Sequence, residues 1–429
     1  MWTSWRWACS PSVRKPTRKP RRSSPRSRSG RPRRRRRTRT SPTGPTSDRR
    51  TCSRSRRSPR RCTVSRTTPV APGRPAPTTP PGHARERRRT AVIPTTALVV
   101  VLLAALVLAI LTAVAVGTVA MPLGVVWQVI SAHLTGGPVG VDPLSDQIIW
   151  QYRTPRVLLA ALAGAGLAVA GVCLQALVRN PLADPYVLGI SSGASLGAVL
   201  VLSYGSAALG GLGVAGAAFL TALLTLAAVF LLAQRGSRLG ATRLVLAGIA
   251  TTYLTTAATS YVQLHASPNE LRGIMFWLLG SVSGATWPAL RIPAVVVVVT
   301  LAWLILRARS LNALTTGDDS AATLGIPVNR LRVELLAVSA LLTAAVVAVA
   351  GGVGFIGLMI PHMVRLIVGP DHRRALPVAA VGGALFLVLV DLGTRTVDPP
   401  NEYPLGVFTA ALGAPFFLWL LRRNKNEVI

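Results

Sequence analysis

The property that most constrains this chain is a succession of apolar runs, each about as long as a bilayer is thick, from residue 97 almost to the C-terminus. A spanning helix needs about 20 mainly apolar residues, because each adds only ~1.5 Å of rise across a hydrocarbon core of ~30 Å. Segments 97–120, 157–177, 186–204, 212–232, 243–264, 288–306, 333–350, 355–368, 376–394 and 405–421 meet or approach that length. They predict an all-α polytopic membrane protein with about ten transmembrane helices. Half of the residues are apolar and only 14% are charged, which fits a bilayer and not a soluble catalytic domain. Segment 121–152 carries Trp127, Trp150 and Tyr152 where interfacial anchors belong, and 275–287 is apolar but short, as for a partly embedded segment. Several spans are rich in Gly and Pro, which is tolerated at membrane depth only where protein or a water-filled cavity covers the backbone.

Residues 1–90 are a different material. They carry 29 Lys/Arg against Asp48 and Glu86, a net charge of +27, whereas residues 91–429 carry a net +7. Arg runs such as 33–37, much Ser, Pro and Thr, and no apolar period predict disorder. The Arg runs lack interleaved aromatics, so no nucleic-acid partner is expected, and no apolar stretch follows the first charges as it would in a secretory signal. The expectation is a start assigned too far upstream. No Met occurs between Met1 and Met121, so the true start would be a non-ATG codon, with Val64, Val70 and Val92 as candidates. A solvated cytoplasmic tail and an arm for nucleic acid or anionic lipid are the alternatives. The membrane domain is therefore placed at 91–429. Cys9, Cys52 and Cys62 lie in the tail and Cys173 lies in an apolar helix, so neither a disulfide framework nor metal-ligand spacing emerges.

Lys and Arg in short loops set orientation. With the N-terminus inside, the inner positions collect Arg179, Arg235, Arg238, Arg243, Arg307, Arg309, Arg330, Arg332, Arg373, Arg374, Arg422, Arg423 and Lys425. The outer positions hold only Arg153, Arg156, Arg272, Arg291 and Arg395. Both termini are then cytoplasmic. Arg153 and Arg156 stand three apart at the mouth of the second span, and Arg395 ends the ninth on the same side. They either snorkel to lipid phosphates or form a docking site for an acidic extracellular partner.

Chemistry inside the spans is sparse. Asp391 lies near the outer end of the ninth span, and His362 and Arg365 lie toward the inner end of the eighth. An ion-driven transporter usually places ionisable or unwound coordinating groups near the midplane, so energy is expected from another subunit. No GxxxxGK[ST], HExxH or CxxC pattern occurs, so neither ATP nor a metal is assigned to this chain. Ser191 and Ser192 in GISSGAS are read as small packing residues. His362 follows Pro361 and is expected to satisfy the backbone that the proline frees. In the inner loop 310–332, Asp318 or Asp319 is expected to cap a short helix over 321–324, with Gly325, Ile326 and Pro327 stopping it.

Six segments in order resemble the FecCD/BtuC-like permeases, membrane subunits of ABC importers for iron-siderophores, haem and cobalamin. They are RTPR at 153–156, LAGAGLAVAGVCLQALVRNPLADPYVLGISSGASLG at 162–197 and MFWLLGSVSGATW at 275–287, then GDDSAATLGIPVNR at 317–330, GGVGFIGLMIPHMVRLIVGPDHR at 351–373 and NEYPLGVFTAALGAPFFLWLL at 401–421. The resemblance implies a type II importer permease with ten helices and a second permease subunit, identical or paralogous. A cytoplasmic ABC ATPase dimer would bind ATP-Mg, and an extracytoplasmic binding protein would deliver substrate. It implies docking of acidic binding-protein residues at Arg153, Arg156 and Arg395. It also implies ATPase contact at the inner loop, with Gly317, Asp318, Asp319, Ala322, Leu324, Gly325 and Pro327. Gln175, Asn180, Pro181, Asp184, Pro185, Gly189, Gly193, Pro361 and His362 are expected to shape the inner turn and the pathway, residues 180–185 as a structural hairpin, with direct ATPase contact as the alternative for that turn. The expected cargo is an iron-siderophore-type chelate, with haem or cobalamin as the alternative. An ion-coupled secondary transporter is a further reading, and a non-transporting scaffold a third. The expected location is the cell membrane.

Overall fold

Hydrocarbon leaves the backbone no partner but itself, and the apolar runs accordingly become helices. The computed structural model describes residues 94–117, 119–235, 238–239 and 241–423. In chain order the helices are α1 (Thr95–Ala115), α2 (Leu123–Thr135), α3 (Pro143–Asp146), α4 (Thr154–Val178), α5 (Ile190–Tyr204), α6 (Val214–Ala233), α7 (Ala241–Leu264), α8 (Pro268–Leu278), α9 (Trp287–Leu306), α10 (Ala308–Thr315), α11 (Asp318–Thr323), α12 (Val328–Ala350), α13 (Ile356–Val368), α14 (His372–Thr396) and α15 (Leu405–Arg423). Two short strands, β1 (Gln234–Arg235) and β2 (Arg238–Leu239), pair antiparallel between α6 and α7. The basic segment 1–90 and its expected disorder lie outside the described residues, as do Lys425 and both chain ends.

Among the described residues, six helical stretches are long and apolar enough to cross a membrane: α1, the Pro143–Val178 stretch that includes α4, α6, α9, α12 and α14. The apolar helices α2, α5 and α13, and Leu405–Leu420 of α15, are shorter. α7 has 24 residues, but its Thr, Ser and Tyr content dilutes its apolarity. Each of the ten predicted segments coincides with a helix, and the differences lie at the ends. The first predicted segment, 97–120, stops at Ala115, because Val116 turns extended. The third, 186–204, begins as a 3-10 turn, Pro185–Leu188, before α5. Segment 275–287 is not one unit: its first part completes α8 and its second part is a turn leading into α9. α8 begins at Pro268 and takes in Asn269 and Glu270, its start fixed by a capping box between Ser267 and Glu270.

α4 is the centre of the packing. Nineteen of its residues are buried, from Thr154 to Leu177, and α14, α12, α13 and α9 surround it. Close approach is set by glycine: a Cβ added at Gly164 would overlap the Gly383 carbonyl of α14, and one at Gly171 would overlap the Gly357 carbonyl of α13. At the end of the bundle that the loop charges predict to lie outside, called the outer side from here on, the chain turns are tied to one another. Ser281 N donates to Ala350 O (2.9 Å), Leu405 N to Gly280 O (2.9 Å) and Gly406 N to Leu279 O (2.9 Å). Beside them His133 stacks on Trp150 (4.2 Å between ring centroids), and Trp150 leans on Trp287 (4.6 Å), whose Nε1 donates to Trp150 O at 2.9 Å. This aromatic stack is what an interfacial belt requires, an apolar body with its polar edge satisfied.

Candidate functional site

Three sets of polar residues interrupt the apolar interior, one at the outer end of α4, one around Gln175 toward its inner end, and one beyond that end. The outer set is built on a π-helical turn, Gln147–Arg153, that leads into α4. Thr154 Oγ1 donates to Ile149 O across five residues (2.7 Å). Arg153 turns to the C-terminal end of α1, and its Nη1 donates to Val114 O and Ala115 O, both at 2.9 Å. Its Nη2 donates to Val119 O. Arg395, on α14, donates from Nη2 to Ala113 O at 3.1 Å. Val116 N takes Thr112 O at 2.8 Å. The last four carbonyls of α1, orphaned by geometry, are all satisfied, two of them by Arg153 and one by Arg395. Gly117 leaves room for this: a Cβ there would lie 2.8 Å from Arg153 Nη2.

Arg156 makes the acidic contacts. Its Nε donates to Asp391 Oδ1 (2.9 Å) and its Nη1 to both carboxylate oxygens of Glu402 (2.9 and 3.0 Å). Asp391 is fully buried, and its Oδ2 lies 3.0 Å from Arg395 Nη2 in an ion pair bent away from hydrogen-bond geometry. Arg153, Arg156, Arg395 and Glu402 line one cavity of about 230 Å³, edged by the exposed Tyr152 and Ser283. Three guanidiniums and two carboxylates leave one positive charge. Arg153 and Arg395 are buried, while the Glu402 side chain is 36% exposed. The sequence marked the arginines. It left Glu402 unremarked and did not join Asp391 to them, although Asp391 stands one helical turn before Arg395, a spacing that announces a pair.

The middle set corrects the expectation for His362. Pro361 has no N–H, so the carbonyl four residues back, Gly357 O, loses its helical donor. That carbonyl accepts from Gln175 Nε2 of α4 at 3.2 Å, and Gln175 Oε1 accepts from Arg365. The His362 ring lies near Phe416 and Phe417, and its buried Nε2 has no hydrogen-bond partner. His362 therefore does not serve the freed backbone. Gln175, from another helix, does.

At the inner end, α4 stops at Arg179 in a left-handed conformation (φ 54°). The hairpin at 180–185 is held by side chains folding back on the backbone. Asn180 Oδ1 accepts from Leu182 N and Asp184 Oδ1 from Tyr186 N, both at 2.9 Å. Pro181 is exposed at the tip, and Pro185 is buried at the start of the 3-10 turn. Burial pushes the Asp184 carboxyl above the usual carboxylate range, against the opposing pull of the Tyr186 N–H. Gly189 closes the turn at φ 75°, and a Cβ at Gly193 would overlap Thr225 of α6.

The inner loop holds two helices, α10 and α11. No side chain caps α11, which follows Gly317 directly. Asp318 instead accepts from Arg179 and, through Oδ2 at 2.9 Å, pairs with Arg332 Nη2 of α12. The cap expected of Asp318 or Asp319 is absent because two arginines hold Asp318, while Asp319 is exposed. Ala322, Gly325 and Pro327 are exposed, and Leu324 is 69% exposed, a large apolar side chain presented to the inner side. Next to this loop Asp371 precedes α14, and the Asn312 amide at 2.7 Å holds its carboxyl below the usual range.

A hydroxyl-lined cavity of about 320 Å³ lies between α5, α7 and α8, and the sequence did not point to it. Ser191, Ser192, Ser195, Thr252, Thr256 and Thr259 face it. Many of these hydroxyls return their proton to their own helix, as Ser195 does to Ser191 O (2.9 Å) and Thr259 to Thr255 O (2.8 Å). Thr255 joins the two helices by donating to Ser192 Oγ (2.8 Å).

The sequence profile of the FecCD transport family matches residues 105–423. A cobalamin import system permease protein, BtuC, of Halobacterium salinarum is 41% identical over 307 residues, covering 71% of this chain and 82% of that protein. A hemin transport system permease protein, HmuU, of Yersinia pestis is 42% identical over 284 residues, covering 65% and 84%. Among solved structures, an inward-facing metal-chelate type ABC transporter aligns with a TM-score of 0.67 at 30% identity, covering 76% of this chain and 99% of that one.

Proposed function

The chain belongs to the FecCD transport family, and from that premise we propose that it is the permease of an importer for a tetrapyrrole chelate, cobalamin or haem. At the coarser level it is a multi-pass membrane protein, the permease subunit of an ABC importer for a metal-chelate-type substrate. It performs no catalysis, and ATP hydrolysis belongs to a separate subunit. The sequence favoured an iron-siderophore. The cobalamin and hemin permeases at 41% and 42% identity move the preference to a macrocyclic chelate.

In this reading about ten helices cross the membrane, with both termini inside. A second permease subunit completes the pathway, and the surface around Leu324, just past the end of α11, meets a cytoplasmic ATPase dimer. The outer arginines receive an extracytoplasmic binding protein. The observation that carries this last point is the cavity edged by Arg153, Arg156 and Arg395, with its surplus positive charge. Arg156 is the group an incoming carboxylate would reach, by displacing the half-exposed Glu402. Arg153 and Arg395 act from behind it, holding α1 in place.

The test is reconstitution in vesicles with candidate ATPase and binding-protein partners, measuring uptake of cobalamin, haem and a ferric siderophore separately. Uptake of a tetrapyrrole that requires ATPase and ATP is expected. Preference for the siderophore overturns the cargo assignment, and uptake by the chain alone along an ion gradient overturns the importer assignment. Arg156→Glu should weaken docking about tenfold and flatten its salt dependence, since it reverses a charge at the contact.

A further inference from the structure

Among the cavities, one lies apart from the three polar sets of α4. It holds about 620 Å³ and opens on the outside of the bundle, walled by α1, α4, α9 and α14. Leu106, Leu158, Leu162, Leu290 and Val381 make its sides, and alanines of α4, α9 and α14 make its floor. At its rim stand Trp287, the inner member of the aromatic stack, and Arg291, one turn further along α9. From Leu158 to Ala165 the wall descends seven residues of α4, about 10 Å, which is most of one ~15 Å leaflet. An aromatic rim, an apolar slot one leaflet deep and a cation at headgroup level fit one kind of molecule.

The charge of Arg291 decides what that molecule is. Arg291 is exposed and makes no hydrogen bond or ion pair among the described residues. A second copy of this chain packed groove to groove would bring no carboxylate to it, because none lines the groove, and the carboxylates described at this end of the bundle are each held in their own turns or ion pairs. Asp142 accepts from Ser145 N, Asp146 from His133, and Glu270 from Ser267 N. Asp398 accepts from Tyr403 and Asn401, while Asp391 and Glu402 hold Arg156. The bilayer itself supplies the missing anion at that depth, as phosphate. We infer that the groove between α1, α4, α9 and α14 is a binding site for one outer-leaflet anionic phospholipid, its acyl chain in the slot and its phosphate on Arg291.

Phosphatidylglycerol is the probe, against phosphatidylcholine, added to the full-length protein in detergent and counted by native mass spectrometry. The wild type should retain one phosphatidylglycerol in preference to phosphatidylcholine. Arg291→Glu should weaken that retention about fivefold, the effect of one basic charge near an anionic surface. Ala294→Phe, which fills the slot from α9, should abolish it. Arg291→Glu lies on the surface and carries the test even where Ala294→Phe lowers folding yield. Unchanged retention in Arg291→Glu overturns the inference. So does a wild-type dimer that binds no lipid and becomes a monomer in Ala294→Phe, because the groove would then be closed by a second copy.

Discussion

In a bilayer a single unpaired carbonyl matters more than in water, because no solvent is present to take it. Gly357 is such a carbonyl, freed by Pro361 and taken by Gln175, whose other amide atom accepts from Arg365. Gln175→Leu would leave both a carbonyl and a guanidinium unpartnered and should cost on the order of 3 kcal/mol, read as a lowered Tm in lipid nanodiscs. His362→Phe should change Tm far less, since His362 Nε2 bonds nothing and its ring packs near Phe416 and Phe417. The reverse ranking would return the backbone role to His362. Half of this was legible from the chain alone. A proline inside a span names the carbonyl it frees, four residues back. The side chain that answers it depends on which helix packs alongside, and Gln175 is 182 residues away.

Helix ends raise the same problem at the next scale. α1 ends without a basic residue of its own, and its carbonyls are met by guanidiniums from α4's approach and from α14. Arg153→Met should therefore destabilise the fold, by about 3 kcal/mol for the two charged hydrogen bonds lost to α1 alone, besides the one to Val119 O, before any effect on a partner is considered. Gly117→Ala should act in the same direction and more weakly, by crowding Arg153 Nη2. Thermal unfolding in the absence of any binding protein measures both. Tm values equal to wild type would assign Arg153 to docking alone. Hydropathy located the helices well because it reports depth, and it located their ends poorly because ends are decided by hydrogen bonds. The break at Val116 and the turn after Leu278 have no hydropathic mark. The start of α8 did have a readable one, the Ser267–Glu270 pair. Likewise the sequence singled out Arg153, Arg156 and Arg395 as exceptions to the charge asymmetry, but their partners, α1 carbonyls 38 and 39 residues from Arg153 and the Glu402 carboxylate that meets Arg156, follow only from packing.

Across the whole molecule one element touches all three polar sets. α4 runs 25 residues, about 37 Å, with Arg153 and Arg156 at its outer end, Gln175 near its inner end and Arg179 closing it. Arg179 meets Asp318, and Asp318 also holds Arg332, so α11 is tied to both α4 and α12 by one carboxylate. A helix buried along most of its length and packed through glycine on α13 and α14 cannot bend easily, so a displacement at one end reaches the other. Asp318 is then the joint through which movement of α11 would be felt at the outer cluster. Asp318→Asn keeps the shape and removes the charge that joins the two arginines. In the reconstituted assembly it should leave binding-protein docking unchanged while lowering the stimulation of ATP hydrolysis by the docked protein about fivefold or more, the range of a coupling free energy between distant sites. Asp319→Asn, at the exposed neighbouring position, should leave docking unchanged and lower stimulation less, because both arginine pairs of Asp318 stay in place. Equal loss of docking and stimulation in Asp318→Asn would mean that the fold is damaged and not its coupling. Full stimulation would mean that α11 moves free of α4, and that the outer and inner clusters communicate through other helices.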